Sequence, residues 1–103
     1  MKRDWHLVRE LLRRASCLDQ PMRARWLVRE WDAEIVERHA DLMANGELLQ
    51  VDGDQVVRVT WRGHDLLDAI REPWRWSMVQ QALARHAMPL TEENILAVGA
   101  MDE

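Results

Sequence analysis

Residues 32–61 read DAEIVERHADLMANGELLQVDGDQVVRVTW, and this stretch decides the fold. Asp32 is a typical N-cap residue, so it predicts a helix over residues 33–45. The inner side of this helix is expected to carry apolar residues and one core histidine: Ile35, His39, Leu42 and Met43. Asn45-Gly46 ends the helix, and Gly46 is expected to adopt the left-handed conformation that favours glycine.

Two short strands are predicted after this helix, over residues 47–51 and 55–61. Asp52-Gly53-Asp54 lies between them, and an Asp-Gly pair is a strong signal for a hairpin turn. In the second strand three apolar residues alternate with polar ones, as in a half-buried strand: Val57, Val59 and Trp61. The stretch therefore predicts a helix followed by a β-hairpin.

Upstream, residues 3–16 predict an amphipathic helix with a basic outer face. Apolar residues recur along it at spacings of three and four: Trp5, Val8, Leu11, Leu12 and Ala15. Residues 18–31 leave two interpretations open. Pro21 suits the first position of a helix, whereas Trp26 and Val28 alternate with polar residues as in a short strand.

Downstream, three helices are predicted. Thr60 is a cap for a helix that runs to about Arg71, and the following Glu72-Pro73 breaks it. The next helix covers residues 74–86, with Met78, Ala82 and Leu83 on one side, and Thr91 starts a last short helix.

Together the elements predict an α+β fold in a single domain, residues 1–103. Residues 1–72 are expected to form a winged-helix-like core with a two-stranded hairpin, and residues 73–103 a C-terminal extension of two helices.

Composition excludes several classes of protein. The chain has 103 residues, of which 48% are hydrophobic and 31% charged, so it is neither disordered nor a membrane protein. Its opening residues lack the apolar region of a secretory signal, so we expect a cytoplasmic protein. Cys17 is the single cysteine, and we expect it to be buried and structural.

No catalytic, metal or cofactor site is expected. The sequence has no glycine-rich phosphate loop, no Gly-x-Ser-x-Gly and no paired-cysteine motif. His64 and Asp68 are four residues apart on a predicted helix, but nothing else at metal-ligand spacing accompanies them. We interpret His64 as a structural residue.

The distribution of charge decides between two kinds of partner. The net charge is −4, with nine basic against seven acidic residues in 1–38, and five against eleven in 39–103. The helix before the hairpin and the hairpin turn carry a set of acidic residues: Asp32, Glu34, Glu37, Asp41, Asp52 and Asp54. Duplex DNA is bound mainly by neutralising its phosphates, so this acidic face disfavours DNA and favours a basic patch on a partner protein. The alternative contact with nucleic acid is the basic set near the start of the chain: Arg9, Arg13, Arg14, Arg23, Arg25 and Arg29.

Tryptophan is the only aromatic residue besides histidine, with six copies and no Phe or Tyr. Trp74 and Trp76 follow a helix break, and one narrow helical stripe cannot bury both rings. Since Trp and Arg are enriched at interface hot spots, we expect these two tryptophans to contact a second copy in a homodimer.

Three blocks of the sequence carry a family resemblance. They are the opening Met-Lys-Arg-Asp-x-x-Leu-Val-Arg-x-x-Leu, the segment His39–Gly46, and the block Val59-Thr60-Trp61-Arg62-Gly63-His64 with its continuation to Arg71. Together they resemble a bacterial and phage family of winged-helix domains of unknown function. The chain departs from the family at Gly46-Glu47-Leu48-Leu49, where Gly-Leu-Ile is usual. The resemblance implies a winged-helix fold and a place in a phage or mobile element, and it supplies no activity.

These observations lead to one functional hypothesis and one alternative. We expect a non-enzymatic interaction module, a phage or mobile-element regulator or inhibitor that acts through protein–protein contacts. The alternative is a transcriptional regulator that binds duplex DNA.

Overall fold

The computed structural model describes residues 4–101 and has the predicted α+β fold. The elements are, in order, α1 (Trp5–Ala15), β1 (Met22–Arg23), α2 (Ala24–Leu27), α3 (Ala33–Asn45), β2 (Leu49–Asp52), β3 (Gln55–Val59), α4 (Trp61–Ile70), α5 (Pro73–Arg85) and α6 (Glu92–Met101). The strands form one antiparallel sheet in the order β1-β3-β2. The chain divides into two compact units, Met1–His64 and Asp65–Glu103.

Helix α1 is capped by Asp4 and buries most of the predicted stripe, although Trp5 is only half-buried and Leu7 is buried without having been predicted. Leu7, Val8, Leu11 and Leu12 are at most 1% exposed. The Asp4 carboxylate accepts hydrogen bonds from the backbone N–H groups of His6 and Leu7 (3.0 and 3.3 Å) and from the Trp31 indole (3.1 Å). Desolvation by itself would raise the pKa of Asp4, but these hydrogen bonds outweigh it and hold that pKa below its ordinary value.

His39 joins α1 to α3 and is a core histidine, as predicted. Its ring is 2% exposed. Nε2 accepts a hydrogen bond from the backbone N–H of Asp4 (3.0 Å), which leaves Nδ1 as the donor to the carbonyl of Ile35 (2.8 Å). Both ring nitrogens are thereby satisfied within the core.

The ambiguous segment 18–31 contains both a strand and a helix. Met22 and Arg23 pair with Val56 and Gln55 of β3, and the four-residue α2 follows at once. Neither local interpretation was right in detail, because Pro21 precedes the strand and Trp26 lies in α2 with 55% of its surface exposed. The partner strand β3 lies about thirty residues downstream, so local periodicity contained no signal for β1.

Helix α3 has the predicted bounds and the predicted cap, since the Asp32 side chain accepts from the Glu34 N–H at 3.0 Å. Its buried stripe differs in part from the prediction. It consists of Val36, His39, Ala40 and Met43, while Ile35 and Leu42 are 40% and 39% exposed. The spacing 36–39–40–43 defines the stripe, and Ile35 and Leu42 fall outside it.

The end of α3 corrects the prediction for Gly46, which has φ −83°. Glu47 is the left-handed residue, with φ 62°. The N–H of Leu48 bonds to the Met43 carbonyl (2.8 Å) and the N–H of Glu47 to the Ala44 carbonyl (3.0 Å), which is a Schellman motif with glutamate in place of the usual glycine.

The hairpin has a two-residue loop, Gly53–Asp54, between the paired residues Asp52 and Gln55. Gly53 has φ 62°, as the first loop position of such turns requires. Val56 and Val59 face the core, whereas Trp61 leaves the strand, begins α4 and is 88% exposed, so the predicted alternation through Trp61 is wrong.

Thr60 caps α4, as predicted, by accepting from the Gly63 N–H (3.0 Å) while its hydroxyl donates to the Glu47 carbonyl. A Cβ at Gly63 would overlap the carbonyl oxygen of Leu48 and lie 2.7 Å from the Val59 side chain. Because Gly63 has no side chain, the start of α4 packs directly against the backbone of Leu48, just before β2.

The second unit has a core made by helical residues: Leu66, Leu67, Ala69, Ile70, Val79, Leu83 and Ile95. Pro73 is the first residue of α5. The predicted inward position of Met78 is wrong, since 46% of this residue is exposed and Val79 is buried instead. Helix α5 ends as α3 does, with Ala87 at φ 54° and the Met88 N–H bonded to the Leu83 carbonyl (2.8 Å). None of the described helices is long and apolar enough to cross a membrane.

Candidate functional site

A groove between α3 and the β2–β3 hairpin has an apolar floor and an acidic rim. It measures about 200 Å³ and is lined by Ala24, Glu37, Ala40, Asp41, Val51, Gly53, Asp54 and Val56. We call it the acidic groove. The stripe that buries Val36 and Ala40 turns Glu37 and Asp41 to the rim, and the hairpin loop supplies Asp54.

The other predicted acidic residues lie on the same two elements. Glu34 is exposed on the first turn of α3, and Asp52 is exposed at the end of β2. Asp32 is also exposed, but its carboxylate is used as the cap of α3. Acidic side chains near a helix N-terminus are stabilised by the helix dipole, so Asp32 and Glu34 also have a structural role.

Two arginines bind the rim of the groove. Arg25 makes a two-pronged contact with Glu37, at 3.0 Å from Nε and 2.7 Å from the terminal nitrogen. Arg23 lies 2.8 Å from an Asp54 oxygen, and its guanidinium also lies over the Trp26 ring at 5.6 Å. The hydrogen bond from Arg25 holds the pKa of Glu37 below its ordinary value. The arginines nearest to the groove are thus already engaged by its own carboxylates.

The remaining members of the basic set do not form an open face. Arg14 donates to the Leu27 carbonyl (2.9 Å) and binds Glu30 at 2.5 Å, and Arg13 binds Glu10 at 2.7 Å. Arg9 is half-buried and Arg29 is exposed. At least four of the six arginines proposed for nucleic acid, namely Arg13, Arg14, Arg23 and Arg25, are therefore held in ion pairs within the molecule, which lowers the positive potential they present to solvent.

The two tryptophans predicted at a dimer contact differ in exposure. Trp74 is 60% exposed with Arg75 beside its ring at 6.0 Å, whereas Trp76 is half-buried. Met78 stands one helical turn after Trp74 and is also exposed. Trp74 and Met78 therefore form an exposed apolar pair on one face of α5.

Potential metal ligands do not cluster in the part of the chain that the structure describes. In residues 4–101, no three His, Cys, Asp or Glu side chains come together in an arrangement that could hold a metal ion. Cys17 is exposed rather than buried, so that prediction is wrong. It lies in the turn just after α1, where the chain has left the helix.

A second groove lies where β3 meets α4, and sequence reasoning missed it. It measures about 310 Å³ and is lined by Arg58, Val59, Thr60, Trp61 and His64; we call it the Trp61 groove. A more open depression shares Thr60 and Trp61 with this groove, and Glu47, Leu49 and Arg62 contribute to it. The alternation of Val57, Val59 and Trp61 predicted that Trp61 belongs to a strand. Nothing in the sequence therefore indicated that its indole is exposed.

Comparison with known proteins identifies relatives and supplies no activity. A protein of Haemophilus influenzae, described as uncharacterised, is 27% identical over an alignment of 111 positions. The alignment covers 95% of this chain and 92% of the relative. No solved structure matches the chain. The family model for a hypothetical protein, DUF2513, matches residues 2–89. The chain therefore belongs to the DUF2513 family of unknown function.

Proposed function

We propose that this chain is a non-enzymatic interaction module that binds a basic patch of a partner protein with the acidic groove. One observation carries the proposal: Glu34, Asp41 and Asp52 are exposed around the groove, while the nearest arginines, Arg23 and Arg25, are taken up by Asp54 and Glu37. A lysine or arginine from a partner would meet carboxylates at the rim and an apolar floor for its methylene stem.

A winged-helix architecture is part of this proposal. It is supported by the order helix, strand, two helices and hairpin in the first unit, and by the pairing of β1 with β3. In such a fold α3 corresponds to the recognition helix and the β2–β3 loop to the wing. A phage or mobile-element regulator or inhibitor, working in the cytoplasm, is the biological role that we propose with it.

The charges of α3 and the hairpin favour a protein over DNA as the partner. Phosphate contacts supply most of the affinity of a DNA-binding domain, and they need free Lys and Arg at the docking surface. On this surface the carboxylates outnumber the arginines, and bringing phosphates to it would also require Arg23 and Arg25 to leave their partners. Like charges at contact repel by about 1–4 kcal/mol near a protein surface.

Titrations with duplex DNA and with partner proteins test the proposal. The wild-type protein is titrated with duplex fragments of the native host genome, including its own upstream region, in a gel-shift assay near physiological salt. We expect no retained complex. Partners from a host lysate are then captured, identified and titrated as purified proteins, and we expect a basic partner whose affinity falls with added salt.

The charge variant is Glu34→Lys with Asp41→Lys, two exposed carboxylates of α3. Its matched control is Asp19→Lys with Glu93→Lys, two exposed carboxylates that lie on neither α3 nor the hairpin. The first pair should abolish binding of the basic partner and create non-specific affinity for DNA, while the control should retain the partner. Tight, sequence-dependent DNA binding by the wild type, lost on Arg13→Ala or Arg25→Ala, would establish the DNA-binding regulator instead.

A homodimer through α5 is a separate part of the proposal, supported by the exposed pair Trp74 and Met78. Sedimentation of the wild type should show a dimer, and Trp74→Ala with Met78→Gln should shift it to monomer with an unchanged circular dichroism spectrum. Trp26→Ala, which removes another exposed indole, is the control. A wild-type monomer at high concentration excludes the dimer.

A further inference from the structure

The indole of Trp61 is far more exposed than the fold requires. It is 88% exposed at the first residue of α4. Helix α4 is started by the Thr60 cap and by the close approach of Gly63, and neither depends on the residue at position 61. Leaving the largest apolar side chain in water forgoes the stabilisation that burial supplies, so the ring contributes little to folding.

Cationic side chains flank this ring without carboxylate partners. Arg58 donates from Nε to the neutral Gln50 side chain at 2.6 Å. Among residues 4–101, neither Arg58 nor Arg62 has a carboxylate within ion-pair distance, unlike Arg23 and Arg25. His64 adds an imidazole N–H donor to the groove wall. The guanidinium groups therefore keep their donors available for an acceptor from outside the chain.

The residues that line the Trp61 groove suit an acidic ligand with an apolar side chain. Its lining combines one apolar wall, from Val59 and the indole, with Arg58 and His64, and includes no carboxylate. We propose that the Trp61 groove binds an acidic segment of a partner protein, with an apolar side chain of that segment packed on the indole. Carboxylates of the segment bind Arg58, whose planar fork suits them. Trp and Arg are also the residue types that dominate interface hot spots.

A protein segment fits this surface better than a single-stranded nucleic acid. Sequence-tolerant binding of single strands uses successive aromatic rings along a continuous basic track. Here one exposed ring lines the groove, and Glu47 lines the adjoining depression, where its carboxylate would repel a phosphate backbone. A short acidic segment needs only the one groove.

This inference is independent of the function proposed for the acidic groove, because the two grooves share no lining residue and have opposite charge. A partner of the acidic groove is basic and is lost on Glu34→Lys with Asp41→Lys. A partner of the Trp61 groove is acidic and should bind that variant as it binds the wild type.

The test is a titration of the ¹⁵N-labelled full chain, followed by nuclear magnetic resonance. The probes are three synthetic peptides of equal length: one of Glu, Leu and Phe, one with every Glu replaced by Gln, and one with every Glu replaced by Lys. A single-stranded oligo-dT is the fourth probe. We expect the acidic peptide to shift the Trp61 indole signal and the amide signals of residues 58–64, and to bind at least about tenfold more tightly than the Gln peptide.

Variants separate the indole from the charges. Trp61→Ala should weaken binding of the acidic peptide by about 30-fold or more, the range of hot-spot tryptophans. Arg58→Gln should remove the preference for the acidic peptide over the Gln peptide, because Arg58 is the arginine that lines the groove. Trp26→Ala deletes another exposed indole and should leave the affinity unchanged.

Three outcomes would overturn the inference. The first is an acidic peptide that binds no better than the Gln or Lys peptide, up to millimolar concentration. The second is that oligo-dT shifts residues 58–64 and the acidic peptide does not, which assigns the groove to nucleic acid. The third is concentration-dependent self-association of the wild type that Trp61→Ala abolishes, which assigns it to a second copy.

Discussion

The acidic groove and the Trp61 groove use charge in opposite ways. At the acidic groove, Glu37 and Asp54 are bound by arginines of the preceding segment, so much of the local charge is satisfied within the molecule. At the Trp61 groove, Arg58 donates a hydrogen bond to the neutral side chain of Gln50, and the indole is exposed. The difference shows that a count of charged residues does not identify a binding surface. What matters is which charges have already found a partner in the fold.

The largest expected effect concerns the backbone beneath the Trp61 groove. Gly63→Ala should lower the free energy of unfolding by about 3 kcal/mol, since the new Cβ meets the rigid carbonyl of Leu48. Gly53→Ala, in the loop beside the acidic groove, meets no atom and should cost only about 1 kcal/mol from its positive φ. Urea denaturation of both variants measures the difference. Equal costs would mean that α4 does not approach Leu48 this closely.

The next effect concerns the side chain of Asp4, which caps α1 and binds Trp31 just before α3. Asp4→Ala removes the cap of α1 and the acceptor for Trp31, and should cost about 1–2 kcal/mol at pH 7. Because folding lowers the pKa of Asp4, its ionised carboxylate contributes fully to the free energy of unfolding at pH values above the unfolded pKa of about 3.9. This stabilisation is lost as the pH falls through the folded pKa.

Urea denaturation at pH 7 and near pH 3 measures this contribution for the wild type and Asp4→Ala. The difference between them should shrink at the lower pH. Asp19→Ala, an exposed carboxylate in the turn after α1, is the control and should show no such change. A difference that stays constant with pH would mean that the ionised carboxylate does not stabilise the fold.

A smaller effect concerns the two helix ends that place non-glycine residues at positive φ. Glu47→Gly and Ala87→Gly should each raise the free energy of unfolding by about 0.5–1 kcal/mol, because glycine adopts this conformation without a Cβ penalty. Glu47→Gly also removes a carboxylate next to Trp61, so it should tighten the acidic peptide, whereas Ala87→Gly should not. Thermal denaturation and the peptide titration measure the two effects. If both variants are destabilised, these residues are not left-handed in the folded protein.

The smallest expected effect concerns the ion pair at the acidic groove. Arg25→Gln should leave the denaturation midpoint close to that of the wild type, because exposed ion pairs contribute little to stability. It should nevertheless raise the pKa of Glu37 toward its ordinary value, since the hydrogen bond from Arg25 is what lowers it. A carboxyl titration by nuclear magnetic resonance measures this pKa. An unchanged pKa would show that the pair does not form in solution.

Much of the fold could be predicted from local rules. Asp32 and Thr60 were identified as caps because an N-cap hydrogen bond spans only two or three residues. The hairpin followed from its Asp-Gly pair, and α1 from a clean apolar stripe. The acidic face was likewise predictable, since α3 has one buried stripe and its carboxylates lie outside it.

The sequence by itself therefore determined the order and the bounds of most helices, the hairpin, and the acidic character of α3. Only the tertiary structure decided that β1 pairs with β3 and that Trp61 is exposed to solvent. It also decided that Arg23 and Arg25 form ion pairs with Asp54 and Glu37, two of the predicted acidic residues. Each of these depends on groups far apart in the chain. Caps, stripes and turns are set by neighbours within about one helical turn, whereas strand pairing, ion pairing and the exposure of one ring are set by what the folded backbone brings close.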